Sequence, residues 1–337
     1  MFTKVNKQEL HEMCIRVMIK NGETAENAEI IYENLLEDEL QGKRGHGFNR
    51  MPMLLRSYSS GEIKKPVSVT VTGNKVTVDG NRNIGLVAVR KAVDAIIEAS
   101  KTNSIVIAGV KGYENTTGAM GYYCRLLARA GLVSIITATC DASVAPYGSM
   151  ESHLATNPVG IGFPFKNNPV VTDVATSAST YGSISLAYKN GQKIPEGQIL
   201  TPEGMPTTDP ADIIERHGPQ LPLAGHKGYS LAMAFEILAG LIVGADSGKN
   251  GTGAGPDGAF IVAFRPDIFC TLEEYEHSME VFVDEIRNAK PVPGSDKPVH
   301  IPGMYDEEAY EKAKASDEVE IMTEVYKEIL AMDGREL

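Results

Sequence analysis

Tryptophan is missing altogether, and only four cysteines occur in 337 residues. Cys14, Cys124, Cys140 and Cys270 are widely spread with no CxxC pair. That spacing excludes a disulfide framework or a thiolate zinc site and reads as free thiols in a reducing cytosol. Positive charge is also scarce: 32 Lys and Arg face 44 Asp and Glu, for a net charge of -12. Such a chain repels nucleic acid and anionic membranes, so neither is an expected partner, and an anionic ligand would need a locally basic pocket. The histidines at 11, 153, 217, 277 and 300 show no HxxxH pair and no carboxylate cluster, so no catalytic metal is expected. GxSxG and Walker-type loops are absent. The most apolar run, Tyr229 to Ala245, is interrupted by Glu236 and flanked by glycines, which argues against a membrane span. No signal-peptide pattern precedes the first amphipathic stretch, so a cytoplasmic location is expected.

What is present is an ordinary globular composition, 42% hydrophobic and 23% charged, in a chain long enough for two or three lobes. Helical spacing runs from Lys7 to about Leu40, broken at Asn21-Gly22, with Thr24 placed to cap the second helix. A helix from about Pro52 to Ser59 precedes Gly61. Valines at 67, 69 and 71 alternate with Ser and Thr, turn at Gly73-Asn74 and alternate back at 76 and 78, which predicts a hairpin. Helix then alternates with strand: helix 86–100, strand 104–110, helix 118–130, strand 132–140. Strands at 159–163 and 170–174 flank a turn at Asn167-Asn168, and a helix is expected at 181–189. Residues 190–225, rich in Gly, Pro and Thr, predict a surface excursion, and 229–245 a central buried helix. A strand at 259–264, a helix at 272–288, a Pro-rich linker at 291–302 and two helices from Asp306 complete the chain.

Four stretches offer chemistry. Gly45-His46-Gly47-Phe48-Asn49-Arg50 places a titratable ring and a fixed cation four residues apart. On a helix they would share a face; if Pro52 opens the next helix, they lie in the loop before it. Either way His46 can exchange a proton near neutral pH and Arg50 can grip a carboxylate with a planar fork. A surface His and Arg in a helix-start loop would carry the same letters. Gly225-His226-Lys227-Gly228 stands ahead of the apolar helix, where unpaired N–H groups and the lysine suit a phosphate. An ordinary surface lysine is the competing reading. Asp173 to Ser177 closes a strand with one carboxylate and two hydroxyls, enough to meet a ribose or amide, and equally an Asx or Ser/Thr turn. Thr156-Asn157-Pro158 is a turn ahead of a strand. Gly253 to Gly258 matches GxGxxG by letter, but a helix precedes it and a strand follows, the reverse of a dinucleotide fingerprint; a loop is expected there.

Taken together, these segments resemble the type-2 malate/L-lactate dehydrogenase family. Residues 45–52 are similar to its SHGxxRxP motif, 155–158 to its TNP segment, and 225–232 to its HKGYGLA segment. Pro202-Glu203-Gly204 with Pro206 to Pro210 resembles its G-x-PTTDP stretch, and Pro302-Gly303 its PGxE. They occur in family order over nearly the whole chain. The family also includes ureidoglycolate and sulfolactate dehydrogenases, 2,3-diketogulonate reductases and cyclic imino-acid reductases.

The resemblance implies an α/β (mixed α+β) fold: a non-Rossmann NAD(P)-binding mixed sheet flanked by helices. A helical lobe of residues 1–62 plus 303–337 and a mixed-sheet region of 63–302 follow as the expected division. It implies hydride transfer between NAD or NADP and a small 2-oxo or 2-hydroxy acid, and a homodimer. The family's acid–base histidine falls on His46 and its carboxylate-binding arginine on Arg50. Cofactor contacts fall on Cys140, Asp141, Thr172, Asp173, Val174, Ala175, Thr176, Ser177, His226, Lys227, Gly303, Met304 and Tyr305. Thr116 and Asn157 fall on further substrate positions. Two positions depart from the pattern: Gly45 stands where the motif has Ser, and Asn115-Thr116 where many members have Asn-His.

Overall fold

The computed structural model describes residues 1–59, 66–249, 257–295 and 298–335. Most of the GxGxxG-like stretch, Gly61 and the expected lobe boundary at 62/63 lie outside the described residues.

The chain opens with a strand absent from the predicted pattern, β1 (Phe2–Asn6). Helices α1 (Lys7–Lys20) and α2 (Ala25–Leu40) follow. Asn6 caps α1 by accepting from the Gln8 and Glu9 N–H groups, and Thr24 caps α2 through the Asn27 N–H. A 3-10 turn at Phe48–Arg50 leads into α3 (Met51–Ser59). The alternating valines form the hairpin β2 (Ser68–Thr72) and β3 (Lys75–Asp79). Then come α4 (Gly85–Ala99), β4 (Ile105–Tyr113), α5 (Met120–Arg129) and β5 (Val133–Thr139). They are followed by β6 (Val159–Phe163), β7 (Val170–Val174) and α6 (Tyr181–Lys189).

The stretch 190–225 is not a bare excursion. It folds into β8 (Ile199–Leu200), β9 (Pro206–Thr207) and α7 (Ala211–Ile214), and buries Ile194, Ile199 and Ile213 against Ile184. Next, α8 (His226–Glu236) runs on as a π-helical stretch, Ile237–Ile242. The remaining elements are β10 (Asp257–Phe264), α9 (Leu272–Arg287), α10 (Met304–Lys314), β11 (Glu318–Met322) and α11 (Thr323–Asp333). Strand β11, not expected from the sequence, lies between the two helices expected from Asp306. It pairs antiparallel with β1, clasping the two ends of the chain.

Seven strands form one sheet in the order β2-β3-β4-β10-β5-β6-β7. Only β3 and β4 pair in parallel. The late strand β10 enters between β4 and β5, antiparallel to both. Local helix–strand alternation suggests neighbours that pair in parallel; the distant insertion makes the sheet mixed instead. This is an α/β fold without the doubly wound dinucleotide-binding order.

The helix at 226–242 is not central and buried. Leu231 is 49%, Leu241 63% and Ile242 62% exposed. Its packed side carries Gly228, Ala232, Glu236, Ala239 and Gly240. Small residues let the helix lie close on the sheet: a Cβ on Gly258 would stand 2.0 Å from the Ala239 carbonyl. The large side chains therefore point away. Two main apolar cores result. One gathers α1, α2, α3, β1, β11 and α11 with Ile84, which precedes α4, and Leu86 and Val87 of its first turn; the other gathers the sheet with α4 and α5. We propose from these cores the division of residues 1–62 plus 303–337 from 63–302.

Candidate active site

The loop after α2 is tied down by its own backbone. The His46 and Gly47 N–H groups both donate to the Lys43 carbonyl, at 2.8 and 3.2 Å. The buried Glu39 carboxylate accepts the Phe48 N–H at 2.9 Å. Gly47 is required here, because a Cβ would lie 2.3 Å from Glu39 Oε2 and 3.1 Å from its Cα. Arg50 Nε donates to the Gly45 carbonyl at 2.8 Å. His46 and Arg50 thus sit in a closed loop and a 3-10 turn, and Pro52 is the second residue of the helix beyond.

Charge around this loop comes from four parts of the chain. Lys43 Nζ lies 2.8 Å from Asp306 Oδ2, at the start of α10, and 3.5 Å from Asp173 Oδ2, near the end of β7. Asp173 Oδ2 also accepts the Gly121 N–H at 2.9 Å, so the first turn of α5 holds it. His46 is pushed down to about 4; burial is the main cause, Arg50 and Lys43 add to it, and Asp173 acts against it. Its Nδ1 is shut off from solvent with no hydrogen-bond partner among the described residues. Burial also lowers Arg50, with Cys140 and Tyr181 acting the other way, which places both groups near the guanidinium. Beneath the loop, the fully buried Asp38 carboxyl is raised to about 7 by burial, against the pull of Arg125 and Lys43. At neutral pH the site presents a neutral imidazole beside a fixed cation.

The other predicted positions separate. Cys140 and Asp141 are exposed just past β5. Thr172, Asp173 and Val174 end β7. The Thr176 hydroxyl donates to the carbonyls of Thr156 and Asn157 at 2.9 and 3.1 Å, while Ser177 Oγ donates to the Ser179 carbonyl. Ala175 lies between these anchored neighbours. The Leu223 N–H donates to Thr176 O and the Gly228 N–H to Leu223 O, each at 2.8 Å. These bonds bring the start of α8, with exposed His226 and Lys227, to the 172–177 segment. Gly225 turns the chain there at φ 66°, and the Tyr147 ring meets His226 edge-on at 6.0 Å. Gly303, at φ 86°, lies against Val171 of β7, where a Cβ would stand 3.0 Å from backbone atoms. Tyr305 stacks on His300 at 3.5 Å, and Met304 lies beside Arg287. Thr116 uses its hydroxyl to accept the Gly118 N–H at 3.0 Å.

Asn157 lies inside the fold. Its side chain is fully buried, and its Nδ2 donates to Ala232 O at 3.0 Å and Glu236 Oε2 at 2.7 Å, toward α8. Conversely, Lys43, Asp306 and Tyr181 were not singled out in the sequence, although the structure brings them to the site. Lys43 had a local signal, three residues before His46. The other two meet the site only through the fold.

Fold and site together set a buried imidazole beside a guanidinium and a Lys–Asp cluster on a non-Rossmann sheet. The chain belongs to the malate/L-lactate dehydrogenase family, whose profile matches residues 5–330. It is 32% identical over 327 residues to L-sulfolactate dehydrogenase of Methanocaldococcus jannaschii, covering 94% of this chain and 93% of that one. It is 30% identical over 315 residues to hydroxycarboxylate dehydrogenase B of Escherichia coli K12, covering 90% and 86%. The solved sulfolactate dehydrogenase of M. jannaschii superposes with a TM-score of 0.86 at 29% identity, covering 99% and 98%.

Proposed function

We propose that the chain is an NAD(P)-dependent oxidoreductase that moves hydride between nicotinamide and a small 2-oxo or 2-hydroxy acid. The observation that carries this reading is the closed loop that sets His46 beside Arg50, next to the Lys43–Asp173 pair. Relatives named for sulfolactate and hydroxycarboxylate support the substrate class. The residues present suit the dinucleotide: an exposed lysine at a helix start for phosphate, and a strand end with one carboxylate and hydroxyls for the sugar or amide.

When bound, the nicotinamide supplies or accepts the hydride. Arg50 holds the substrate carboxylate through its free guanidinium end and orients the α-carbon. His46 starts neutral and takes the hydroxyl proton during oxidation. In reduction it must carry a proton to the developing alkoxide. Burial is what chiefly holds His46 down; a substrate carboxylate beside Arg50 offsets the smaller part due to that cation and so shifts the ring toward its protonated form. Lys227 and the start of α8 hold cofactor phosphate. With Thr116 in place of a second histidine, His46 is the single proton carrier in this reading. The exposed apolar side chains of 231–242 support pairing with a second copy, as the family resemblance implies.

The test is NADH and NADPH fluorescence on mixing, then oxidation of each with a panel of 2-oxo acids, including those derived from malate, lactate and sulfolactate. Binding with turnover on at least one acid supports the reading. Binding without turnover on any would recast the chain as a non-catalytic relative. Turnover only on cyclic imino acids or diketo-sugar acids would shift the substrate class.

A further inference from the structure

Glu236 has no part in the proposed chemistry, yet it is a buried carboxylate at the end of α8 that accepts from four protein donors. It lies on the packed face between Ala232 and Ala239 and is 5% exposed. Its Oε2 accepts from Asn157 Nδ2 at 2.7 Å, from the Thr139 hydroxyl at 3.0 Å and, more weakly, from the Ala155 N–H at 3.4 Å. Its Oε1 accepts the Gly248 N–H at 3.1 Å. Among the described residues no Lys, Arg or His pairs with it. Four donors converging on an acceptor-only group is how a carboxylate is satisfied away from water. A residue that merely filled this space could be apolar, at less desolvation cost.

We infer that Glu236 is a positioning residue for the cofactor groove, fixing three segments relative to one another. The inference rests on the cofactor reading above. The first segment is Cys140-Asp141, which directly follows Thr139. The second is Thr172–Ser177, two hydrogen bonds away. Asn157 binds Glu236 through its side chain and accepts the Thr176 hydroxyl through its carbonyl, with its backbone held at φ 34°. The third is His226-Lys227, which opens the same helix that carries Glu236. A backbone in the left-handed region is costly for a non-glycine residue, and the side-chain bond to Glu236 helps hold Asn157 there.

The test compares wild type, Glu236→Gln and Thr139→Val. Glutamine keeps the shape but puts an NH2 donor against donors from Asn157, Thr139 or Gly248. Valine removes a single hydroxyl bond. Cofactor Kd is measured by NADH and NADPH fluorescence, with kcat and KM for the best 2-oxo acid at saturating cofactor, and thermal midpoints. Glu236→Gln is expected to raise cofactor Kd about tenfold and Thr139→Val about threefold, while KM for the acid and kcat stay within about twofold. Wild-type Kd in Thr139→Val and Glu236→Gln overturns the inference, as does equal weakening of cofactor and acid with a lowered midpoint. If Glu236→Gln does not fold, Thr139→Val alone decides. A wild type that binds neither dinucleotide overturns the cofactor reading and this inference with it. A wild type that binds normally alongside unaffected variants overturns the inference alone.

Discussion

Arg50 is anchored by the loop it belongs to: its Nε donates to the Gly45 carbonyl at 2.8 Å. Among the described residues that is its one hydrogen bond, and Nη2 points toward Gly182, whose Cβ, if present, would stand 3.8 Å away. Among the described residues the terminal nitrogens make no hydrogen bond, which suits the carboxylate role proposed for them. Arg50→Lys cannot keep both the anchor and a two-pronged grip. We expect KM for a 2-oxo acid to rise about tenfold or more, with cofactor Kd unchanged. Steady-state kinetics with cofactor saturating checks this, and an unchanged KM would remove Arg50 from the carboxylate role.

His46→Ala should lower turnover by about 10²–10⁴-fold while leaving NADH binding intact. Single-turnover rates and fluorescence titration separate the two effects. A variant with wild-type turnover would mean that another group moves the proton.

The two glycines flanking His46 should respond oppositely to serine. At Gly45 a Cβ would meet Gly182 Cα at 3.7 Å, an ordinary contact, so Gly45→Ser should fold with stability within about 0.5 kcal/mol of wild type. It also places a hydroxyl in the loop where the family motif has one. At Gly47 the new side chain would collide with the buried Glu39 and disturb its bond to Phe48, costing about 1–3 kcal/mol. Urea unfolding of both variants is the measurement; equal losses would show that the loop is not packed as described.

The Asp38 carboxyl is held up at about 7, mainly by burial, from an ordinary 3.8. Between those values the folded chain keeps a proton that the unfolded chain has released. Its contribution to stability is therefore greatest below about pH 4 and drains as pH rises to about 7. Asp38→Asn has no proton to lose. The stability of this variant relative to wild type should climb from pH 4 to 7 and then level. Parallel curves from denaturant unfolding across that range would contradict the burial of a protonatable Asp38.

Much of the fold was legible in local pattern. The valine alternation at 67–78 and the paired runs at 159–163 and 170–174 are strands; β3 buries Val76 and Val78, while β2 stays exposed and is held by its antiparallel pairing with β3. The missed strands were of two kinds: the two-residue pair β8–β9, too short for an alternation to show, and the terminal strands, whose partners are far away. Glu318 to Met322 alternates exposed and buried, but its partner is residues 2–6, and the surrounding helical spacing hides it. The apolar run at 229–245 misled because composition does not say which side of a helix is covered. Small residues marked the packed face, and the large ones were left outside.

The site was legible to the same degree. His46 and Arg50 stand together in sequence, so their nearness in the fold could be read there. The Lys43, Asp173 and Asp306 carboxylate–ammonium cluster joins residues from a loop, a strand end and a helix start. No spacing announces it. Nor do the Thr-Asn-Pro letters reveal that the Asn157 amide nitrogen turns inward to Glu236.

The place of β10 has a consequence for how the chain assembles. Strands β4 and β5 are made first, yet they never touch as partners; residues 257–264 stand between them. On a ribosome the two earlier strands emerge with unpaired edges and must wait until more than a hundred further residues have appeared, counting from Thr139 to Asp257. The sheet therefore closes from its middle, and late. The slow and aggregation-exposed moment in the life of this protein lies in that interval, when the edges of β4 and β5 are open to each other or to another chain.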